Sequence, residues 1–193
     1  MQRDYSPLPN IYFMRRILFL LCVMAVAFQS QASRPSYRTS ESLAHFTWGI
    51  EAGGGIDMTS HDMSTVDINA YFGYRNSWIN VLGFGASINM MVDNSSRAFP
   101  VYFMFQSSFR QQPSLAFFDF RTGVSFNNTQ YDKQQTDFYI SPGVGFNLAR
   151  GKSFRSYLML SYVYNGFKSY QRDDRLENIN GLSMACLRIG INF

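Results

Sequence analysis

The sequence predicts an all-β chain: an eight-stranded antiparallel up-and-down transmembrane β-barrel over residues 45–193. Three observations carry that prediction. First, the last stretch, from Gly181, alternates strictly, with Ala185, Leu187, Ile189, Ile191 and Phe193 on one face. Met184, Cys186, Arg188, Gly190 and Asn192 occupy the other, which is a strand with one apolar and one mixed face. Second, 46% of the residues are hydrophobic and 17% aromatic, but only 16% are charged, against about 25% in ordinary soluble domains. Mean hydropathy is nonetheless slightly negative, so the apolar residues are interspersed with Ser, Asn, Gln and Gly rather than gathered into blocks. Third, the same alternation returns in segments of roughly 10 to 13 residues separated by turn-rich stretches, where a tilted membrane-crossing strand needs about 9 to 11.

The one continuous apolar block, Ile17 to Phe28, is too short for a helical span, which needs about 20 residues. It follows Arg15-Arg16 and precedes Ser30-Gln31-Ala32, so residues 1–32 read as an N-terminal extension and secretory signal peptide cut after Ala32. Met14 is the expected start of that signal, ahead of which Met1 to Phe13 is polar. Cys22 lies inside the apolar run without a lipobox around it, and once the signal is cut only Cys186 remains, which excludes an intramolecular disulfide. Residues 33–44, polar and containing Pro35, read as a periplasmic lead-in. Removing Arg3, Asp4, Arg15 and Arg16 lowers the formal charge of +4 to about +2, with no basic cluster that would point to nucleic acid.

The first strand is expected over Phe46 to Ile56, with Phe46, Trp48, Ile50, Ala52 and Ile56 outward and Glu51 among the inward positions. The second runs Thr65 to Tyr74, with Val66, Ile68, Ala70, Phe72 and Tyr74 against Asp67, Asn69, Tyr71 and Gly73. The third, Trp78 to Met90, is less clean, since Ile79 and Val81 fall on the polar face. The fourth covers Phe99 to Phe109. The fifth covers Ala116 to Phe126, with Asp119, Arg121, Gly123 and Ser125 inward. In the sixth, Phe138 to Leu148, Pro142 shares the apolar face and suggests a bulge. The seventh is Ser156 to Gly166, and the C-terminal stretch is the eighth.

Connections after the even strands read as short and those after the odd strands as longer: 57–64, 91–98, 127–137 and 167–180. Short periplasmic turns and long external loops are the pattern of such barrels. Phe46, Trp48, Tyr74, Trp78, Phe109, Phe118, Phe146 and Phe193 fall toward the periplasmic ends. Phe99, Phe126, Phe138, Tyr162 and Tyr164 fall toward the external ends, giving two aromatic girdles.

An eight-stranded barrel is just wide enough for side chains to fill. The inward face supplies a lumen polar network of Glu51, Asp67, Asp119, Arg121 and Arg188, and buried charges of this kind must pair or be wetted. Arg188 and Glu51, on neighbouring strands at the closing seam, are expected to approach each other. No catalytic, cofactor-binding or metal-binding set emerges. His45 sits at the periplasmic end. His61, beside Ser60 and Asp62 in the first external loop, is the centre of an alternative reading as a lipid-modifying enzyme. Asp173, Asp174 and Glu177 form a loop charge run that could hold Ca²⁺ only loosely. A soluble lipocalin-like barrel, turned inside out relative to this pattern, is the other alternative.

Over Phe46 to Phe193, with its Gly- and aromatic-rich strands and terminal Phe, the chain resembles the small outer-membrane β-barrel proteins of the Bacteroidetes. Phe193, Ile191 and Ile189 resemble the C-terminal assembly signal of such barrels. The resemblance implies export to the cell outer membrane, with membrane lipid and the barrel-assembly machinery as partners. It implies a monomer with a structural or surface-interaction role, toward an extracellular ligand or envelope protein, and a filled lumen. A narrow pore or an accessory barrel of secretion machinery are its alternatives. It carries no catalytic motif, no cofactor and no nucleic-acid partner.

Overall fold

The structure is a computed structural model. It describes residues 45–59, 61, 63–76, 78–92, 96–109, 114–128, 135–151, 154–172 and 175–193, with backbone alone over 169–178. The expected signal peptide and lead-in, together with Ser60, Asp62, Asp173, Asp174 and the Glu177 side chain, lie outside the described residues.

Ten strands follow in chain order: β1 (His45–Asp57), β2 (Thr65–Arg75), β3 (Ile79–Met91), β4 (Arg97–Ser108), β5 (Ala116–Asn128), β6 (Gln135–Arg150), β7 (Arg155–Asn165), β8 (Ser169–Arg172), β9 (Arg175–Asn178) and β10 (Leu182–Asn192). Eight of them close into an antiparallel barrel in the order β1-β10-β7-β6-β5-β4-β3-β2. The alternation read from the sequence is the reason. Most apolar residues of the strands face outward, whereas Gly, Asn, Ser and most charged residues line the inside together with Tyr71, Tyr102, Tyr139, Tyr157, Phe117 and several Met, and closure leaves no unpaired edge.

The register also fixes the tilt. A path along paired residues from Trp48 runs through Phe72, Phe84, Phe103, Thr122, Ile140, Tyr164 and Ser183. Ser183 accepts a backbone hydrogen bond from Met58 N–H, so the path re-enters the first strand ten residues beyond its start. Eight strands with that stagger tilt about 40–45° from the barrel axis. The seam closes at the very end of the chain: Phe193 N–H donates to Trp48 O (2.8 Å) and Trp48 N–H to Phe193 O (3.2 Å). The Phe193 ring stacks on Trp48 at 4.7 Å between centroids.

Three expectations change. The off-face pair Ile79 and Val81 brackets a β-bulge: Val81 faces inward as its parity gives, and the extra residue turns Asn80 inward beside it, so both are buried. Pro142 does not bulge. Pairing with β7 passes from Ile140↔Tyr164 to Gly143↔Ser161 in unchanged register, and the shift falls instead between Asn147 and Ala149. Segment 167–180 is not simply a loop, because β8 and β9 pair there as a two-stranded ribbon.

The connections at the rim opposite the barrel termini are 58–64, 92–96, 129–134 and 166–181; those at the rim beside the termini are 76–78, 109–115 and 151–154. We call these the loop rim and the turn rim. Several strands run further than expected, so the difference in length rests mainly on the last of the loop-rim connections, 166–181.

Candidate functional site

All five residues expected inside the lumen are there and buried. Arg121 on β5 is the hub. Its Nη1 and Nη2 donate to the two carboxylate oxygens of Glu51 at 2.8 and 2.7 Å, a fork-to-fork pair across the lumen. Its Nε donates to Asp119 Oδ1 at 2.8 Å, two residues back on the same strand face. Nη1 also reaches the Tyr102 hydroxyl at 3.3 Å, and the guanidinium lies 5.3 Å from that ring's centre. One guanidinium thus answers two carboxylates, and its planar five-donor geometry is what allows it.

The Tyr157 hydroxyl donates to Glu51 and sits 2.8 Å from the Tyr71 hydroxyl. Gln106 Nε2 donates to Asp119 Oδ2 at 2.9 Å, and Arg155 Nη2 donates to Gln106 Oε1 at 2.9 Å. The polar chain therefore runs continuously from Arg155 near the turn rim to the middle of the barrel.

A second pair lies toward the loop rim. Arg188 Nε donates to Asp67 Oδ2 at 2.5 Å and its Nη1 to Ser161 Oγ at 2.8 Å. Asn69 Nδ2 also donates to Asp67, at 2.6 Å, while Tyr102 Oη donates to Asn69 Oδ1 at 3.3 Å and so links the two halves. Beyond it, Asn127 and Asn165 exchange hydrogen bonds (3.2 and 3.1 Å), and Asn127 Nδ2 donates to Asp137. Lys168, exposed, lies 3.4 Å from Asp137.

The expected partnership of Arg188 with Glu51 does not form: their hydrogen bonds go elsewhere, to Asp67 and Ser161 and to Arg121 and Tyr157. The reason is register. Glu51 is opposite Gly190, whereas Arg188 is opposite Gly53, which is itself opposite Asp67. Gly53 has no side chain, so Arg188 passes over it to the next strand but one. A Cβ on Gly53 would sit 2.6 Å from Arg188 Cγ. The same device serves Glu51. Tyr157 on β7 crosses Gly190 to reach it, and a Cβ there would sit 2.5 Å from Tyr157 Cζ and 2.8 Å from Glu51 Cγ.

Sequence reasoning missed Arg155, which it placed in a turn. It is buried, opens β7, and lays its guanidinium 5.1 and 5.3 Å from the ring centres of Phe117 and Tyr157. The inward parity of Tyr157 and Met159, carried back one step, would have found it. Cys186 is buried and free, facing inward as expected.

His61 has different company from that expected. Its Nδ1 lies 2.6 Å from Thr59 Oγ1, and that hydroxyl donates to Asp57 Oδ1 at 2.5 Å. Asp57 also accepts from the backbone N–H groups of Thr59, His61 and Met63 at 2.7, 2.6 and 3.3 Å. This carboxylate sits at the loop rim, where β1 runs out into the loop. Partial burial works to raise its pKa, but the hydroxyl and the three N–H groups outweigh that and hold it below the ordinary aspartate range. The arrangement is a carboxylate organising its own loop: the Thr59 proton is already committed to Asp57. Among the described residues no group of three or more His, Cys, Asp or Glu side chains could hold a metal ion.

No protein-family model matches the chain, and no curated protein matches it.

Proposed function

We propose that the protein is an outer-membrane β-barrel of a Gram-negative cell, exported through a cleaved signal peptide. Its role is structural or surface-interacting rather than enzymatic, its lumen is filled, and it acts as a monomer among lipid after insertion by the barrel-assembly machinery. The observation that carries the reading is the inversion of polarity. Phe46, Ile68, Phe84, Val101, Leu160 and Leu187, on six different strands, are all exposed, whereas Arg121, Arg188, Glu51 and Asp119 are buried.

Soluble monomers rarely expose apolar patches beyond about 300–600 Å², and here the apolar surface encircles the barrel. A lipocalin-like soluble barrel requires the opposite arrangement. Dimensions agree as well: 11 residues, the length of β2 or β10, rise about 26 Å when tilted about 43° at 3.3 Å per residue. The apolar band of such barrels is about 25 Å tall. Resemblance to the Bacteroidetes barrels supports the same localisation.

The continuous hydrogen-bonded chain through the lumen favours a plug over a pore, and the committed Thr59 proton favours loop organisation over lipid chemistry at His61. The test is extraction and migration. The mature chain should leave the envelope only with detergent and migrate differently in gels with and without boiling. A chain soluble in aqueous buffer would overturn the proposal.

A further inference from the structure

Arg155 is a buried lumen cation with no carboxylate partner among the described residues. It is only 5% exposed, and its Nε has no hydrogen-bond partner. Arg150 stands directly opposite it, Cα to Cα, on β6. Arg75 ends β2 at the same rim, two inward positions beyond Tyr71, whose hydroxyl lies 2.8 Å from that of Tyr157, the ring against which Arg155 packs. Arg75 and Arg150 are half-buried and open to the turn rim. Among the described residues none of the three has a carboxylate within ion-pair distance: Glu51 and Asp119 are spent on Arg121, and Asp67 on Arg188.

Like charges set opposite each other on paired strands destabilise the pairing, and a buried charge without a counter-charge is costly. The fold nevertheless converges three guanidinium groups on one mouth of the lumen.

We propose that this mouth binds a phosphate group through Arg75, Arg150 and Arg155. A phosphate presents more oxygen acceptors and up to two negative charges, which suits several guanidinium forks at once. A carboxylate, with one charge and two oxygens, would leave at least one of them unmatched. The inference requires only the barrel and its register, and goes beyond the proposed role. The phosphate can come from solution or from the headgroup of an anionic phospholipid at the rim.

Arg155 also packs against Phe117 and Tyr157 in the wall, so the variant is placed at the rim: Arg75→Gln with Arg150→Gln. The mature chain, folded in maltoside micelles, is titrated with inorganic phosphate and with pyrophosphate against chloride at equal ionic strength. A parallel arm compares phosphatidylcholine nanodiscs with and without phosphatidylglycerol. Phosphate or pyrophosphate raising the thermal midpoint in micelles identifies a soluble ligand; a rise only with phosphatidylglycerol identifies the headgroup. In either case the double variant should bind at least about tenfold more weakly, while Arg97→Gln, exposed at the loop rim, should bind as the parent does. No rise in either arm overturns the proposal, and so does a double variant that responds like the parent.

Discussion

Arg121→Met tests the lumen at its hub. The side chain is fully buried, and its loss removes both bonds to Glu51 and both to Asp119. Breaking one buried ion pair by deleting a partner costs about 3–5 kcal/mol, because the remaining charge stays buried. Here two carboxylates are stranded, but each retains a donor: Tyr157 for Glu51 and Gln106 for Asp119. We therefore expect a loss near the upper end of that range, about 4–5 kcal/mol, rather than twice it. Adding Glu51→Gln should recover roughly half, since one of the two stranded charges goes, and adding Asp119→Asn should recover most of the rest. The assay is urea unfolding of the folded barrel in micelles, followed by tryptophan fluorescence. Arg188→Met provides the contrast: it should couple to Asp67→Asn and only weakly to Glu51→Gln. An Arg121→Met loss below about 1 kcal/mol would refute the reasoning, as would strict additivity with Glu51→Gln, because either means the fork is solvated and its two ends are independent.

Gly190→Ala should push Tyr157 off Glu51 and cost about 1–3 kcal/mol in the same unfolding assay; a neutral substitution would mean that the Tyr157 ring has room to move. Phe193→Asp should reduce the amount of heat-modifiable barrel in outer-membrane fractions, because it removes the ring stacked on Trp48 at the seam; undiminished levels would count against an assembly role for that residue. The Asp57 carboxyl should titrate below the ordinary value of 3.8 when followed by ¹³C NMR. A depressed carboxylate contributes its stabilisation in full above that ordinary value and loses it as pH falls through the folded one, so the bonds that Thr59, His61 and Met63 donate to Asp57 should weaken only below about pH 4. A midpoint at or above 3.8 would remove the loop-organising role.

The face that each residue presents was legible in the sequence because a strand has a period of two, and period alone decides inside from outside. Glu51, Asp67, Asp119, Arg121 and Arg188 were assigned to the lumen on that basis and are buried there. Partners were not legible. Parity says nothing about how far one strand is shifted along its neighbour, and a shift of two residues preserves every face while changing every pair. Arg188 and Glu51 sit on adjacent strands within that margin, and the register resolves it against them. Bulges are only partly legible for a related reason: the broken alternation at Ile79 and Val81 does mark one, but Pro142 has the sequence mark of a bulge and lacks it, while the shift at Asn147–Ala149 has no Gly or Pro between its flanking residues.

One signal was present in the sequence but needs the register to be read. Inward glycines recur along the strands, and pairing sets several of them against large inward residues: Gly49 opposite Tyr71, Gly85 opposite Tyr102, Gly145 opposite Phe117, Gly190 opposite Tyr157 and Gly53 opposite Arg188. Strands stand about 4.8 Å apart, less than the length of any of these side chains, so a large inward residue can lie over its neighbour where that neighbour is a bare glycine. A Cβ on Gly85 would come within 2.6 Å of the Tyr102 ring. Each such pair turns a long side chain across the lumen instead of along it. That is how Tyr157 comes to Glu51 and how Arg188 comes to Asp67.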